Sequence, residues 1–176
     1  MNAGTLLKKL GACNSAVNYA HGITIQEAWE NCHRGDWMLW FYRRQFPTEI
    51  RKFTLAKAYC ANTVRHLMND ERSIKAVDVA IKFGYGFATQ DDLKSAAADA
   101  DAASVAAYAA AAAAAAAYAA ADADAAAYAA AADADAAAAY AAAAYAAAAA
   151  QKQNQLLTAN ICREYLDISS LYEIGE

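Results

Sequence analysis

The chain has 176 residues and a net charge of −4, with seven glycines and a single proline. Sandwiches and barrels need many turn residues, so this composition excludes them and predicts long helices with few breaks. Residues 1–94 carry 13 Lys and Arg against 9 Asp and Glu, whereas residues 95–150 carry six Asp and no basic residue. This balance is far from the strongly basic one of nucleic-acid-binding proteins, so we expect no direct nucleic-acid binding.

Two short helices are predicted near the start of the chain. Residues 5–10 can form one or two helical turns, which Gly11 would end. Thr24 and Glu27 have the spacing of a capping box and should open a second helix. We expect Gly35 to end that helix.

Three longer helices follow in the sequence pattern. Asp36 is placed to cap a helix over residues 37–45, and apolar residues at near-helical spacing predict another over 49–68. Asp70, with the residue before it, should cap a helix over 71–83. A second capping-box pattern at residues 89–92 then opens the alanine-rich half of the chain.

Alanine dominates residues 95–150, where it accounts for 42 of 56 residues. Alanine has the highest helix propensity, so this tract should be helical. One unbroken helix would be about 84 Å long and would bury little. We therefore expect two or three antiparallel segments, broken at the Asp-Ala-Asp triplets over 99–101, 122–124 and 133–135. The last two triplets are 11 residues apart, so they also fit a repeated stripe on one helix surface.

These elements predict an all-α protein, a compact multi-helix bundle that folds as one unit. A mixed-sequence helical region over 1–94 would pack with an alanine- and tyrosine-rich antiparallel array over 95–176, which a final amphipathic helix over about 152–166 closes. Tyrosines spaced along the array would supply much of its buried area. Because alanine interfaces bury little area, a homodimer that covers the array is a further expectation.

The sequence also bears on the compartment. The N-terminus lacks a basic stretch followed by an apolar run, and six Asp interrupt the weakly hydrophobic alanine tract, so we expect neither a signal peptide nor a membrane span. The four cysteines form no C-x-x-C pair, which argues against a zinc knuckle. We therefore expect a cytoplasmic protein with reduced thiols.

Tryptophan and arginine are concentrated in one block, which makes it the first candidate binding site. It comprises Arg34, Trp37, Trp40, Arg43 and Arg44. Such residues are typical of binding hot spots, and they can also stack on a nucleotide base and pair with its phosphates. The alternative is structural, because Trp37, Trp40 and the following Phe have the i, i+3, i+4 spacing of core anchors.

The alanine tract supplies two further candidate sets. An acidic surface would suit a partner with a basic active-site groove, and its residues are Asp122, Asp124, Asp133 and Asp135. Tyrosines could line a pocket between closely packed helices, and the candidates are Tyr108, Tyr118 and Tyr128. The alternatives are solvation and capping for the aspartates and core packing for the tyrosines.

No residue pattern indicates catalysis. Cys32 and His33 are neighbours, and adjacent residues of a helix do not face each other, so they would not act as nucleophile and base. The three histidines lack metal-ligand spacing. We therefore expect no catalytic residue, no metal and no cofactor, and a protein that is not an enzyme.

Residues 11–44 resemble a known family. The sequence Gly11-Ala12-Cys13, then Glu27-Ala28-Trp29, then Cys32-His33-Arg34-Gly35-Asp36-Trp37-Met38-Leu39-Trp40, followed by a helical middle and an alanine-rich tail, resembles the Imm5-like immunity proteins of bacteria and their phages. The resemblance covers almost the whole chain, and the Cys-x-Arg-Gly-Asp-Trp-x-x-Trp block is its most specific part. It implies a non-catalytic protein that binds and neutralises a protein toxin or, in a phage, a host defence effector. A phage member that sequesters a nucleotide immune signal is the alternative.

Overall fold

The computed structural model describes the backbone of residues 2–68, 70–102 and 133–175. Short helices α1 (Ala3–Lys9), α2 (Asn14–Tyr19) and α3 (Ile25–Asn31) precede the longer α4 (Gly35–Gln45), α5 (Ile50–Asn62) and α6 (Glu71–Gly84). Helix α7 covers the described residues 90–102, α8 is Asp133–Tyr165, and single 3-10 segments occupy Arg65–Leu67 and Ser169–Gly175. These ranges contain helices and no strand, which confirms the predicted all-α fold.

Helix α8 organises the described bundle. Its C-terminal part packs against α4 and α5, while α5 packs against α6 and α1 pairs with α2. The largest side chains that are fully buried are Tyr42 of α4 together with Cys162, Leu166 and Ile168 at the end of α8 and just beyond it. Complete burial of a side chain the size of Leu or Ile stabilises the fold by about 1.5–3 kcal/mol. The core therefore lies between α4 and the last turns of α8.

Local capping chemistry sets several helix starts as predicted. The Thr24 amide donates to Glu27 Oε2 at 2.8 Å and the Glu27 amide donates to Thr24 Oγ1 at 3.1 Å, which completes the capping box of α3. The same reciprocal bonds join Thr89 and Asp92 at the start of α7. Asp70 accepts from a backbone amide of α6 and caps that helix. These starts are confirmed, and the prediction for the residue before Asp70 lies outside the described residues.

The prediction that Gly35 ends one helix and Asp36 caps the next was wrong. Helix α3 ends at Asn31, and Gly35 is the first residue of α4. An added Cβ on Gly35 would lie 2.4 Å from Thr158 Oγ1 and 2.7 Å from the Thr158 carbonyl carbon. This glycine is therefore required for the close approach of α4 to α8.

Two helix lengths also differ from the prediction. Helix α5 ends at Asn62 and not at residue 68, and Thr63 Oγ1 then donates to the Cys60 carbonyl at 2.7 Å and lies 2.9 Å from Asn154 Oδ1. Helix α8 continues without a break through residues 150–152, so the separate closing helix over 152–166 was also a wrong prediction. Residues 151–153 are Gln-Lys-Gln, which favour helix almost as strongly as alanine does.

The alanine tract is described only at its two ends. Helix α7 continues through the first Asp-Ala-Asp triplet, at 99–101, so the break predicted there was wrong. The predicted antiparallel turns, the triplet at 122–124 and the homodimer surface on the array concern residues 103–132, outside the described part. None of the described helices is long and apolar enough to cross a membrane.

Candidate binding cleft

The first four helices enclose an apolar cleft of about 390 Å³. Helices α1 and α2 form one wall, and α3 and the first half of α4 form the other. Most of the lining is aliphatic or aromatic, and the residues include Leu6, Leu7, Ile25, Trp29, Met38 and Phe41. A cleft of this size and polarity is typical of sites that bind a small ligand or an apolar side chain of a partner.

Trp37 and Trp40 line this cleft from α4. Both rings remain partly exposed, whereas Trp29 and Phe41, which also line the cleft, are buried at 7% and 8% exposure. The Trp37 ring centroid lies 6.0 Å from that of Tyr19 on α2. The two tryptophans therefore pack against the core and also form part of the cleft lining.

One end of the cleft carries a closed ion pair. Arg34 donates to Asp36 through Nε at 2.8 Å and through Nη2 at 2.6 Å, and its guanidinium lies 4.6 Å from the Trp37 ring centroid. The hydrogen bonds from Arg34 hold the pKa of the Asp36 carboxyl below its usual value. Because each charge already has its partner, this end presents no free cation to a ligand.

The other end of the cleft is basic, because Arg44 lies there with its guanidinium 5.4 Å from the Trp40 ring centroid. Arg43 lies 5.9 Å and the Lys57 ammonium 5.5 Å from the centroid of Phe53 on α5. All three cationic side chains are exposed. None of them belongs to an ion pair within the described part of the chain, although Arg43 Nη1 donates to the Pro47 carbonyl at 2.6 Å.

The polar groups inside the cleft are hydrogen-bonded. The Tyr19 hydroxyl donates to the Ala28 carbonyl at 3.2 Å, and the Cys32 thiol donates to the Arg34 carbonyl at 3.6 Å. Burial raises the pKa of both Tyr19 and Cys32, so both stay protonated near neutral pH. Cys13, at the cleft lining on the α2 side, is the exposed cysteine of the four. In the described ranges, no group of three or more His, Cys, Asp and Glu could hold a metal ion.

Arg163 of α8 fixes the wall formed by α3. Its Nη1 donates to the carbonyls of Trp29 at 3.0 Å and Cys32 at 2.8 Å, and its Nη2 donates to Asn160 Oδ1 at 2.9 Å. A cation is favourable at this position because the carbonyls at the end of a helix carry partial negative charge. The orientation of α3 relative to α4 thus depends on a residue of α8.

The structure brings together the first predicted site set. Arg34, Trp37, Trp40, Arg43 and Arg44 all lie on α4 or directly before it. Of the other two sets, Tyr108, Tyr118, Tyr128, Asp122 and Asp124 lie outside the described residues. For Asp133 and Asp135 only the helical backbone is described.

Two features were not predicted from the sequence, namely helix α2, which with the predicted α1 forms the opposite wall of the cleft, and the residue that fixes α3. Helix α2 has six residues and no side-chain cap at Cys13, so it lacks most start signals. The available signal was Gly22, which has a φ of +80° shortly after the helix and is typical of a C-terminal stop. For Arg163 no local signal exists, because its partners are 131 and 134 residues away.

Comparison with protein-family models, with curated proteins and with solved structures finds no match for this chain. The resemblance to Imm5-like immunity proteins therefore stays a prediction.

Proposed function

We propose that this protein is a non-catalytic binding protein of the immunity or anti-defence type. It inactivates a protein toxin or a defence effector by direct contact, and the cleft between α1–α2 and α3–α4 is the contact site. The observation that carries the proposal is the aromatic lining of the cleft, in which Trp37 and Trp40 stay partly exposed beside a buried core. Tryptophan and arginine are among the residues that are enriched in the hot spots of protein interfaces.

The state of the polar groups supports binding over chemistry. A reaction needs a free acid, base or nucleophile within reach of the substrate. Here the Tyr19 hydroxyl, the Cys32 thiol and the Asp36 carboxylate, which all line the cleft, are bonded to other groups of the protein. The exposed Cys13 thiol also lines the cleft, but no side chain of the described residues is hydrogen-bonded to it as a base. An apolar cleft in which these polar groups are already bonded is suited to hold an apolar side chain of a partner.

A nucleotide sponge is the second candidate, and one observation favours it. Trp40 could stack on a base while Arg44, at 5.4 Å from its ring, and Arg43 pair with phosphate. Against it, the Tyr19 hydroxyl and the Cys32 thiol in the cleft lining are already bonded to carbonyls of the protein and are not free to recognise the edge of a base. We therefore place the protein partner first.

The exposed thiol of Cys13 gives a direct test of the cleft. A tagged protein is used to capture partners from the cells in which it acts, and each candidate is then purified and titrated against the pure chain. We expect a stable complex of fixed stoichiometry and a loss of the partner's activity in proportion to the complex formed. Attaching a bulky maleimide to Cys13 should abolish the complex, because the thiol lies at the cleft lining.

A matched control distinguishes blockage of the cleft at Cys13 from the effect of labelling another cysteine. The C13S variant, treated with the same maleimide, should keep full binding, since Cys32 and Cys162 are buried and the half-buried Cys60 does not line the cleft. If every purified candidate binds without losing activity, or if the blocked protein binds as well as the free one, the proposal is wrong. If instead a nucleotide at micromolar concentration raises the melting temperature of the protein, sequestration of a nucleotide becomes the proposed function.

A further inference from the structure

We infer that the partner docks through an acidic segment, in which an apolar side chain enters the cleft and neighbouring carboxylates pair with Arg43, Arg44 and Lys57. These three residues are called the basic rim below. This inference rests on the proposed function, because it assumes that the ligand is a protein, and it adds the chemistry of the segment that binds.

Trp40 makes the cleft and the basic rim one continuous surface. Its ring lines the cleft, and the Arg44 guanidinium lies 5.4 Å from the centroid of that same ring. A group that rests on Trp40 inside the cleft is therefore close to Arg44. Arg43, the chain neighbour of Arg44, lies 5.9 Å from the Phe53 ring centroid, and Lys57 of α5 lies 5.5 Å from it, so the basic rim extends from α4 to α5.

The charges of the basic rim are left uncompensated by the described part of the protein. Arg43 and Lys57 share one aromatic ring, so their charges are within about 12 Å of each other, comparable to the screening length of about 8 Å in physiological salt. Five other basic residues of the described chain each have a carboxylate partner, and these are Arg34, Lys52, Arg65, Arg72 and Lys94, whereas Arg51, Lys75 and Lys82 belong to no ion pair in the described ranges. Carboxylates on a partner would complement the positive charge of the basic rim and raise the rate at which the partner associates.

The two ends of the cleft differ, and this difference gives the docked segment a direction. At the Trp37 end Arg34 and Asp36 neutralise each other. At the Trp40 end the cations are free. The acidic residues of the segment should therefore lie on the Trp40 side of its apolar anchor, and an acidic residue on the Trp37 side would meet the Asp36 carboxylate.

A pair of fluorescent probes tests whether the cleft and the rim act together. 8-Anilinonaphthalene-1-sulfonate is an aromatic anion, and N-phenyl-1-naphthylamine has the same rings without the charge. We expect the anion to bind the full-length protein about tenfold more tightly than the neutral probe, because exposed charge pairs each contribute modestly. The variant R43Q/R44Q/K57Q should lose this preference and keep its affinity for the neutral probe.

The control variant is K75Q/K82Q, which removes two exposed charges from α6. It should keep the preference for the anionic probe. Equal affinity of the two probes for the unmodified protein would overturn the inference, and so would an equal loss in the control variant.

Peptide competition then tests whether the cleft and the basic rim prefer the carboxylates of a peptide to a nucleotide phosphate. Three peptides of equal length carry a central Leu-Phe pair flanked by glutamates, glutamines or lysines, and each is titrated against the bound neutral probe. The glutamate peptide should displace the probe at a concentration at least about tenfold lower than the lysine peptide, and this difference should vanish in R43Q/R44Q/K57Q. Displacement by the lysine peptide first, or by adenosine monophosphate before the glutamate peptide, would overturn the inference.

Failure of the acidic-segment inference can be distinguished from failure of the proposed function. If a captured partner is inactivated equally well by R43Q/R44Q/K57Q, the acidic segment is wrong while the proposed function stands. If no partner is inactivated at all, the proposed function fails whatever the probes show.

Discussion

Replacement of Gly35 by alanine should destabilise the protein, although alanine is the better helix former. The new Cβ would lie 2.4 Å from Thr158 Oγ1 and 2.7 Å from both the Thr158 Cβ and its carbonyl carbon. Side-chain rotation of Thr158 can relieve only the first of these contacts. The other two require α4 and α8 to move apart, and this opens the interface around Cys162, which is fully buried.

The magnitude follows from two opposing contributions. Overpacking of a close interface costs about 1–3 kcal/mol. Exchange of glycine for alanine in a helix gains at most about 1 kcal/mol, and less at the first helical position. A net loss of about 1–2 kcal/mol is therefore expected, which for a chain of this length lowers the melting temperature by about 2–8 °C.

Chemical denaturation of G35A, T158A and the double variant measures this effect. T158A removes Oγ1 and its 2.9 Å hydrogen bond to the Gln155 carbonyl, but it leaves the backbone contacts in place. The double variant should recover part of the G35A loss, so that the two substitutions are not additive. If G35A is as stable as the unmodified protein, or if the two effects add, the close approach of α4 to α8 does not explain this glycine.

Three further predictions concern residues that hold the cleft together. T24A should lower the free energy of unfolding by about 1 kcal/mol because it removes the cap of α3, while T24S should retain it, as urea denaturation will show. R163M leaves two carbonyls at the end of α3 without their donor, so it should cost about 2 kcal/mol in the same assay and weaken binding of the neutral probe. D36N lacks the carboxylate that Arg34 stabilises in the folded protein. Because Arg34 lowers the pKa of Asp36 in the folded state, the stability contributed by the ionised carboxylate is complete above about pH 4 and is lost as the pH falls through the folded-state pKa. The free energies of unfolding of D36N and of the unmodified protein should therefore converge in acid, and a constant difference from pH 7 to 2 would contradict the ion pair.

The features that the sequence predicted correctly are those that depend on neighbours three or four residues away. The capping boxes at Thr24 and Thr89 need only a hydroxyl and a carboxylate at fixed spacing, and both form. The grouping of Trp37, Trp40 and Arg44 follows in the same way from helical periodicity. Local chemistry therefore predicted the starts of α3, α6 and α7 and the grouping of aromatic and basic side chains on α4.

The features that failed are those where one residue type has two uses that only a distant contact distinguishes. Glycine ends helices and also permits close packing, and at Gly35 the second use applies because Thr158 lies against it. An Asp-Ala-Asp triplet can cap a helix or lie on its surface, and at 99–101 the helix simply continues. Helix α2 was missed because its six residues are too few to show a period.

The two walls of the cleft are held by different means, and this difference bears on how a partner enters. The segment that joins α3 to α4 is fixed to α8 at both ends, through Arg163 at the Cys32 carbonyl and through the Cys162 thiol, which donates to the Gly35 carbonyl at 3.6 Å. The opposite wall, α1–α2, is closed mainly on itself, since the Gly4 amide donates to the Ala20 carbonyl at 3.0 Å. The α3–α4 wall with its tryptophans is thus the fixed template. When a ligand binds, we therefore expect α1–α2 to move more than α3–α4. Because Cys13 lies on the α1–α2 wall, its rate of maleimide labelling reports this movement.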